Sequence, residues 1–345
     1  MNRPQDVTAE FVRNEVLADF DDSQSIECDW NVTGPVLTTR NCWIFKATAG
    51  RYPGGVAVKI YRLLKRPRQI VWYAAALRKY SEGMPAEQGL AVPKVLHVQP
   101  KKFAMIMEWV DGRLLRQVLL MTDVTPQQRA QRIERCGAWL RKFHELSDIK
   151  VQPFDHFRMV ALTRRRIRNS PGFADYQESG DWLARAQAIL DRHGELFDGE
   201  DVPYSTVHGD VTTTNLLING QAIYGLDFDA RHRRPIAGDI CRLLVHLDVC
   251  RYFLTPRRAM DQAASDRRDV EALRQGYGAD LFPSGRFYSF VQLNEVVRRI
   301  AVRSDDNASQ GFAAGRHLEL YRLNRRGRIL VENFERELPD QNCVV

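Results

Sequence analysis

His208-Gly209-Asp210-Val211-Thr212-Thr213-Thr214-Asn215, followed after ten residues by Leu226-Asp227-Phe228-Asp229, is the stretch that decides the reading of this chain. Between the two blocks, Leu216-Leu217-Ile218, Asn219-Gly220 and Ala222-Ile223-Tyr224 read as a β-hairpin on an Asn-Gly turn. A hairpin brings its two ends together, so Asn215 and Asp227 fall at its open end, where their side-chain oxygens can converge on one hard cation. Two protein oxygens suit magnesium, which keeps several waters and accepts phosphate oxygens beside one or two protein ligands. Asp210, five residues before Asn215, stands where a carboxylate could take the proton of an incoming hydroxyl.

Around this island the chain changes character. On its N-terminal side the segments Cys28 to Val32, Cys42 to Thr48 and Val56 to Tyr61 alternate as strands, with turns at Thr38-Thr39-Arg40-Asn41 and Tyr52-Pro53-Gly54-Gly55. A helix opens at Pro67 and stops at Gly83, and two further strands follow at Val92 to Val98 and Phe103 to Trp109. From Gly112 the pattern is helical, clearest from Pro126 to Leu146, where Ile133, Cys136, Leu140 and Phe143 recur at spacings of three and four. Tyr204 to Val207 reads as a short strand, and Val245 to Phe253, Asp269 to Tyr277 and Phe287 to Val302 as helices. The expectation is an α+β protein of two lobes: residues 1–109 as a small antiparallel β lobe, a hinge near 107–112, and residues 110–345 as a larger, mainly helical lobe carrying the site.

Composition excludes several classes. With 44% hydrophobic and 27% charged residues the chain is globular rather than disordered or fibrous, and no apolar run approaches the roughly 20 residues of a membrane helix. Met1 to Phe20 lacks a signal-peptide core, and Cys28, Cys42, Cys136, Cys241, Cys250 and Cys343 are scattered without metal or disulfide spacing. A cytoplasmic protein with reduced thiols is the expectation. The net charge of +7 gathers at Lys65 to Arg68, Arg164 to Arg168, Arg231 to Arg234 and Arg325 to Arg328. Such clusters favour anionic partners, or serve as solvated faces; without interleaved aromatics or a reading helix, nucleic acid is not expected.

The pattern H-G-D-x-x-x-x-N with a following apolar-Asp-Phe unit resembles the phosphotransfer signature of the aminoglycoside phosphotransferase and choline kinase family, which shares the protein kinase-like fold. The resemblance extends over roughly residues 34–247. It implies an ATP- and Mg²⁺-dependent small-molecule kinase that moves the γ-phosphoryl group to a hydroxyl acceptor, with Asp210 as catalytic base and Asn215 and Asp227 as metal ligands. Val56-Ala57-Val58-Lys59 resembles the strand whose lysine reaches the nucleotide phosphates, and Met107-Glu108-Trp109-Val110-Asp111-Gly112 resembles the linker where Glu108 C=O and Val110 N–H would pair with adenine. Leu140 to His144 resembles the helix beneath the catalytic loop, and Gly238-Asp239 the buried aspartate that steadies it.

Two departures stand out. The nucleotide-covering turn, Leu37-Thr38-Thr39-Arg40-Asn41, has no glycine, so Thr39, Asn41 or Arg40 must help to hold phosphate. Tyr73 stands where the family has a glutamate paired with the lysine, leaving Gln69 or Glu82 to orient Lys59. A kinase-fold protein that binds nucleotide or a partner with weak or no catalysis is therefore the alternative. For the acceptor, Arg231, Arg233 and Arg234 favour an anionic sugar or head group unless they pair with Asp229 or Asp239. A cationic acceptor would need Asp248, Asp261 and Glu295, or an aromatic cage from Trp182, Tyr252 and Tyr288.

Overall fold

The computed structural model describes residues 7–39, 41–174, 181–228, 230–304 and 313–337; Arg40, Asp229 and Cys343, named above, lie outside the described residues. The chain forms two compact units, Met1–Arg113 with Leu217–Leu226, and Leu114–Leu216 with Asp227–Val345. The hairpin read above as part of the larger lobe thus groups with the first unit. Its strand Ala222–Gly225 pairs in parallel with Leu90–Ala91, Ile223 opposite Leu90. The five described cysteines are free thiols, and no helix among the described residues is long and apolar enough to cross a membrane.

In the first unit, β1 (Asn31–Thr38), β2 (Cys42–Ala49), β3 (Tyr52–Tyr61), β4 (Leu90–Ala91), β5 (Val95–Gln99) and β6 (Ala104–Glu108) are the strands before the linker. Five of them form an antiparallel sheet in the order β1-β2-β3-β6-β5. Tyr52-Pro53-Gly54-Gly55, expected as a turn, lies within β3. The register against β2 shifts there, between Ala47–Val56 and Ala49–Tyr52, so Pro and Gly make an irregularity inside a strand and the turn falls at Gly50-Arg51. The first strand starts at Asn31, not Cys28, because Cys28 N and Trp30 Nε1 donate to Asp21 Oδ2 at 3.2 and 2.9 Å, tying this stretch to the N-terminal helix.

That helix was not read from the sequence. Residues 9–24 are helical, with a π-helical stretch over Val12–Leu17, and Val12, Val16, Leu17 and Phe20 form an apolar stripe buried against Phe45, Val56, Val58 and Ile60. The other sheet face takes the helix Pro67–Gly83, whose Ile70 and Ala74 pack with Met105 and Leu64. Pro67 occupies the first turn, where no N–H is needed, and Gln69 Oε1 accepts from Lys65 N and Arg66 N at 2.8 and 2.9 Å.

The second unit is mainly helical. Helix Pro126–Glu145 begins with a reciprocal cap, Thr125 Oγ1 accepting from Gln128 N and Gln128 Oε1 from Thr125 N. Helix Ala237–Val249 differs from the expected Val245 to Phe253 because Ile240 through Leu247 are all buried, which erases the amphipathic period that marks a surface helix. Helices Gly285–Ser304 and Ala313–Glu337 complete this layer, the latter unread in the sequence. Strands Lys150–Pro153, Asp201–Thr206 and Arg233–Pro235 form a small sheet with Asp201–Thr206 in the centre, and that central strand delivers the chain into His208.

One helix contact governs the site from outside it. A Cβ on Gly276, in helix Arg267–Tyr277, would lie 1.7 Å from Glu134 O, and one on Gly137 would lie 2.4 Å from Leu273 O, so the two helices meet backbone to backbone. Gly276→Ala must push them apart and should destabilise the protein by about 1–3 kcal/mol or more. Thermal unfolding measures it; an unchanged Tm would mean that the helices separate without penalty.

Candidate active site

The catalytic-loop side of the site lies wholly in the second unit. Asp239, in the first turn of helix Ala237–Val249 and 2% exposed, accepts from His208 N at 2.6 Å, Gly209 N at 3.1 Å and His144 Nε2 at 3.2 Å. His144 is held in turn by Tyr277 OH at 2.8 Å, the residue next to Gly276. Burial pushes the Asp239 carboxyl up, but the hydrogen bond and charge of His144, with the charge of Arg242, bring it down to about 2. The loop is thus fastened by an ionised, fully engaged carboxylate, the role that the Gly238-Asp239 pair implied.

Gly209 sits at φ +79°, a backbone that a side chain would strain. Its two peptide groups are both claimed: the N–H by Asp239, the C=O by Arg242 Nη1. Arg242 is itself gripped by Glu295, Nε to Oε2 at 3.0 Å and Nη2 to Oε1 at 3.1 Å, a buried fork from helix Gly285–Ser304. This clamp was not read from the sequence, since its partners stand far apart along the chain and neither belongs to a local pattern.

His208 is buried between Trp139, Phe143 and Phe228, with ring centroids 5.7–5.8 Å away. Burial lowers its pKa, so it is neutral, and Nδ1 accepts from Asp210 N at 3.2 Å. It orients the backbone of the next carboxylate rather than exchanging protons with it. Cys136 and Trp139 are core residues, as expected.

Asp210 reaches solvent while protein walls it from below. That partial burial raises its pKa from the ordinary value, against the charges of Arg242 and Arg299 and the Asn215 hydrogen bond. Asn215 Nδ2 donates to Asp210 O at 2.8 Å and to Asp210 Oδ2 at 3.0 Å. The amide nitrogen is therefore turned to Asp210, and Oδ1 is the atom left for a cation. Asp227, at the far end of the hairpin, is exposed and has a left-handed backbone, φ +57°. Aspartate is among the non-glycine residues that enter that region most readily.

No group of three or more His, Cys, Asp or Glu side chains among the described residues is arranged to hold a metal ion. The donor set of one amide oxygen and one carboxylate fits a hard cation that keeps water and phosphate ligands, and does not fit zinc or another ion needing a closed protein cage.

On the first unit, Lys59 is buried at 6% exposure on the sheet face that meets helix Pro67–Gly83. Its Nζ lies over the Tyr61 ring, 5.1 Å from the centroid, and Tyr61 stacks on Tyr73 at 5.9 Å and 4°. Tyr73, where a glutamate was expected, thus supports an aromatic platform for the lysine. Gln69 is engaged in its helix cap and Glu82 is exposed. Thr39 shapes the β1–β2 turn, its Oγ1 accepting from Asn41 N and Cys42 N at 3.1 and 3.0 Å, and Asn41 stands exposed beside it. Along the linker, Glu108 N donates to Lys94 O and Glu108 Oε2 accepts from Lys94 N, fixing the half-buried Glu108-Trp109-Val110 segment.

A family model described as "Phosphotransferase enzyme family" matches residues 45–288. The chain belongs to that family. This phosphotransferase has the protein kinase-like fold and is a small-molecule kinase, as the H-G-D-x-x-x-x-N resemblance implied. Similar solved structures include an amicoumacin kinase, hAmiN, in complex with AMP-PNP, Ca²⁺ and Ami (TM-score 0.56, 14% identity, covering 93% of this chain and 96% of the other). A spectinomycin phosphotransferase in complex with ADP and spectinomycin matches at TM-score 0.56 and 13% identity, over 95% of this chain and 100% of that one. The choline kinase LicA from Streptococcus pneumoniae matches at TM-score 0.56 and 12% identity, over 92% and 98%. None of the curated proteins matches this chain.

Proposed function

We propose that the phosphotransferase moves the γ-phosphoryl group of Mg-ATP to a hydroxyl of a small molecule, with Asp210 as the base. The observation that carries this reading is the order built around one carboxylate: His208 holds the Asp210 N–H, Asn215 its C=O and Oδ2, and Asp239 fixes the two preceding peptide N–H groups. A loop held at so many points is preorganised for one position of one oxygen. An inactive binding protein would have no use for that arrangement, which favours catalysis over the binding-only alternative.

In this reading Asn215 Oδ1 and Asp227 hold Mg²⁺, which when bound offsets phosphate charge. Lys59 holds nucleotide phosphates, Asn41 assists from the turn that Thr39 shapes, and Glu108 C=O with Val110 N–H bind the adenine edge. The known ligands of structural neighbours support nucleotide and divalent-metal use: AMP-PNP and Ca²⁺ in the amicoumacin kinase, ADP in the spectinomycin enzyme. Asp210 accepts the acceptor hydroxyl proton as the new P–O bond forms and the bond from the γ-phosphorus to the β,γ-bridging oxygen breaks, with ADP as the leaving group. An anionic sugar or head group as acceptor suits the arginine-rich Arg231 to Arg234 segment.

The test is thermal unfolding with ATP, with and without Mg²⁺. A ligand raises apparent stability by RT ln(1 + [L]/Kd), about 2.7 kcal/mol at a hundredfold excess over Kd. The expected result is a Mg²⁺-dependent rise that Asp227→Ala abolishes; no rise under any condition would remove the nucleotide reading. Tyr61→Leu should weaken ATP binding by several-fold to about 30-fold by unseating Lys59, measured by the same titration. Equal affinity would mean that the aromatic platform does not set the lysine.

A further inference from the structure

Beneath the catalytic loop the second unit contains a cavity of about 430 Å³, a size suited to a small ligand, with Val207, Gly209 and Asp239 in its wall. The cavity therefore begins one residue from Asp210. Its opposite wall is helix His156–Arg168, which presents Arg158, Arg165 and Arg166, with Leu162 and Asn169, at spacings that fall on one helical face.

The charges of this cavity are unbalanced. Its carboxylates are already engaged: Asp239 by the loop N–H groups and His144, Glu295 by Arg242 and by Arg298 at 3.3 Å, and Asp155 as the N-cap of its helix, accepting from Arg158 N. Arg233 is turned to the backbone carbonyls of Ser147 and Asp148, so one of the arginines expected to face the acceptor serves the scaffold, while Arg234 lines the cavity. Arg158, Arg165 and Arg166 are exposed, and among the described residues no carboxylate pairs with them. By contrast Arg164, on the helix face turned away, is paired with Asp191. Guanidiniums gathered around one cavity repel one another, and an oxyanion placed among them relieves the repulsion while accepting forked hydrogen bonds.

The alternatives for a cationic acceptor fare worse. Trp182 and Tyr288 are each 3% exposed, with Trp182 Nε1 on Asn324 and Tyr288 OH on Ser265, so they form no open cage with Tyr252. Glu295 is the one acid of the three weighed for that role that reaches the cavity, and two arginines hold it.

We propose that this cavity receives the oxyanion end of the acceptor, a phosphate monoester or carboxylate gripped by Arg158, Arg165 and Arg166, so that a hydroxyl of the same molecule lies at Asp210. The assignment rests on the phosphotransfer reading for the hydroxyl; the anion site stands on the cavity alone.

The experiment is thermal unfolding of the full chain without nucleotide, titrated with inorganic phosphate, glucose 6-phosphate, glucuronate and, as the neutral control, glucose. The anions should raise Tm saturably and glucose should not. Affinity should fall roughly tenfold for each of Arg158→Gln, Arg165→Gln and Arg166→Gln, whose exposed side chains are not part of the core. No saturable rise, or a rise undiminished in the variants, overturns the site. Turnover with Mg-ATP separates a bound acceptor from a free anion. ADP formation with a hydroxyl-bearing anion, inhibited by inorganic phosphate, supports the proposal; a site that binds phosphate but no hydroxyl-bearing anion overturns its assignment to the acceptor. The Mg-ATP shift and its loss in Asp227→Ala report the kinase reading independently, so either can fail alone.

Discussion

Asp210→Asn should lower turnover by about 10²–10⁴-fold and leave Mg-ATP binding intact. The substitution keeps the shape and leaves an oxygen to accept from Asn215 Nδ2, so the loop retains the bonds that hold it. It removes the group that takes the hydroxyl proton. The pH dependence of the wild type should agree: partial burial raises the Asp210 pKa, so the acid limb of kcat/KM rises at a pH above the ordinary carboxylate value of about 3.9. A carboxyl with a raised folded pKa reduces stability once pH passes from its unfolded to its folded value. The neutral variant escapes that loss, and its Tm at pH 7 should be equal to or above that of the wild type. A variant that turns over normally would remove Asp210 from the chemistry; one that unfolds would make it a structural residue.

Asp239→Ala should have the largest effect on stability, about 3–5 kcal/mol, or roughly 4–7 °C in Tm. The deletion strands two buried peptide N–H groups, frees His144 and leaves Arg242 with less compensating charge. Asp239→Asn should be little better, because the amide NH₂ must face one of the donors that the carboxylate accepts. Turnover should fall with it, since the same bonds place Asp210. The acid side of the stability curve carries the same signature. With the folded carboxyl at about 2 and an unfolded value of about 3.9, its contribution is full above pH 4 and is lost as pH falls through 2. At 1.36 kcal/mol per pH unit the whole contribution is about 2–3 kcal/mol, of which about 1 kcal/mol is lost between pH 7 and pH 3, to be measured as the difference between wild type and Asp239→Asn in denaturant unfolding at those two pH values. Parallel curves for the two proteins would show that Asp239 does not titrate in this window.

The central island was legible because its chemistry is local in sequence. The H-G-D-x-x-x-x-N block, the hairpin and Asp227 lie within one short stretch, and Pro67, Gly83 and the Thr125-Pro126 cap mark their helices by residue type alone. Other features depend on distant partners. The Arg242–Glu295 fork crosses 53 residues, and nothing around either residue announces it. Tyr73 was read as a missing glutamate because aromatic support is invisible until Tyr61 and Lys59 share a sheet face. Two signals were present and unread: the Val12, Val16, Leu17 and Phe20 stripe of the N-terminal helix, and the single face carrying Arg158, Arg165 and Arg166. Residues 164–168 were seen as a charge run, although Arg164 and its neighbours Arg165 and Arg166 face different surroundings.

The division of the chain also dictates when the protein can fold during synthesis. Leu217–Leu226 belongs to the first unit, yet about a hundred residues of the second unit are made before it. At a synthesis rate of ~5–20 residues per second, Leu90–Ala91 waits roughly 7–26 s for its neighbouring strand Ala222–Gly225. The N-terminal unit therefore cannot be finished as it leaves the ribosome, and a fragment ending at the linker would expose the edge that the hairpin covers. Neither unit is one continuous segment of chain, so exchange of an intact lobe between relatives by a single crossover would leave both halves incomplete.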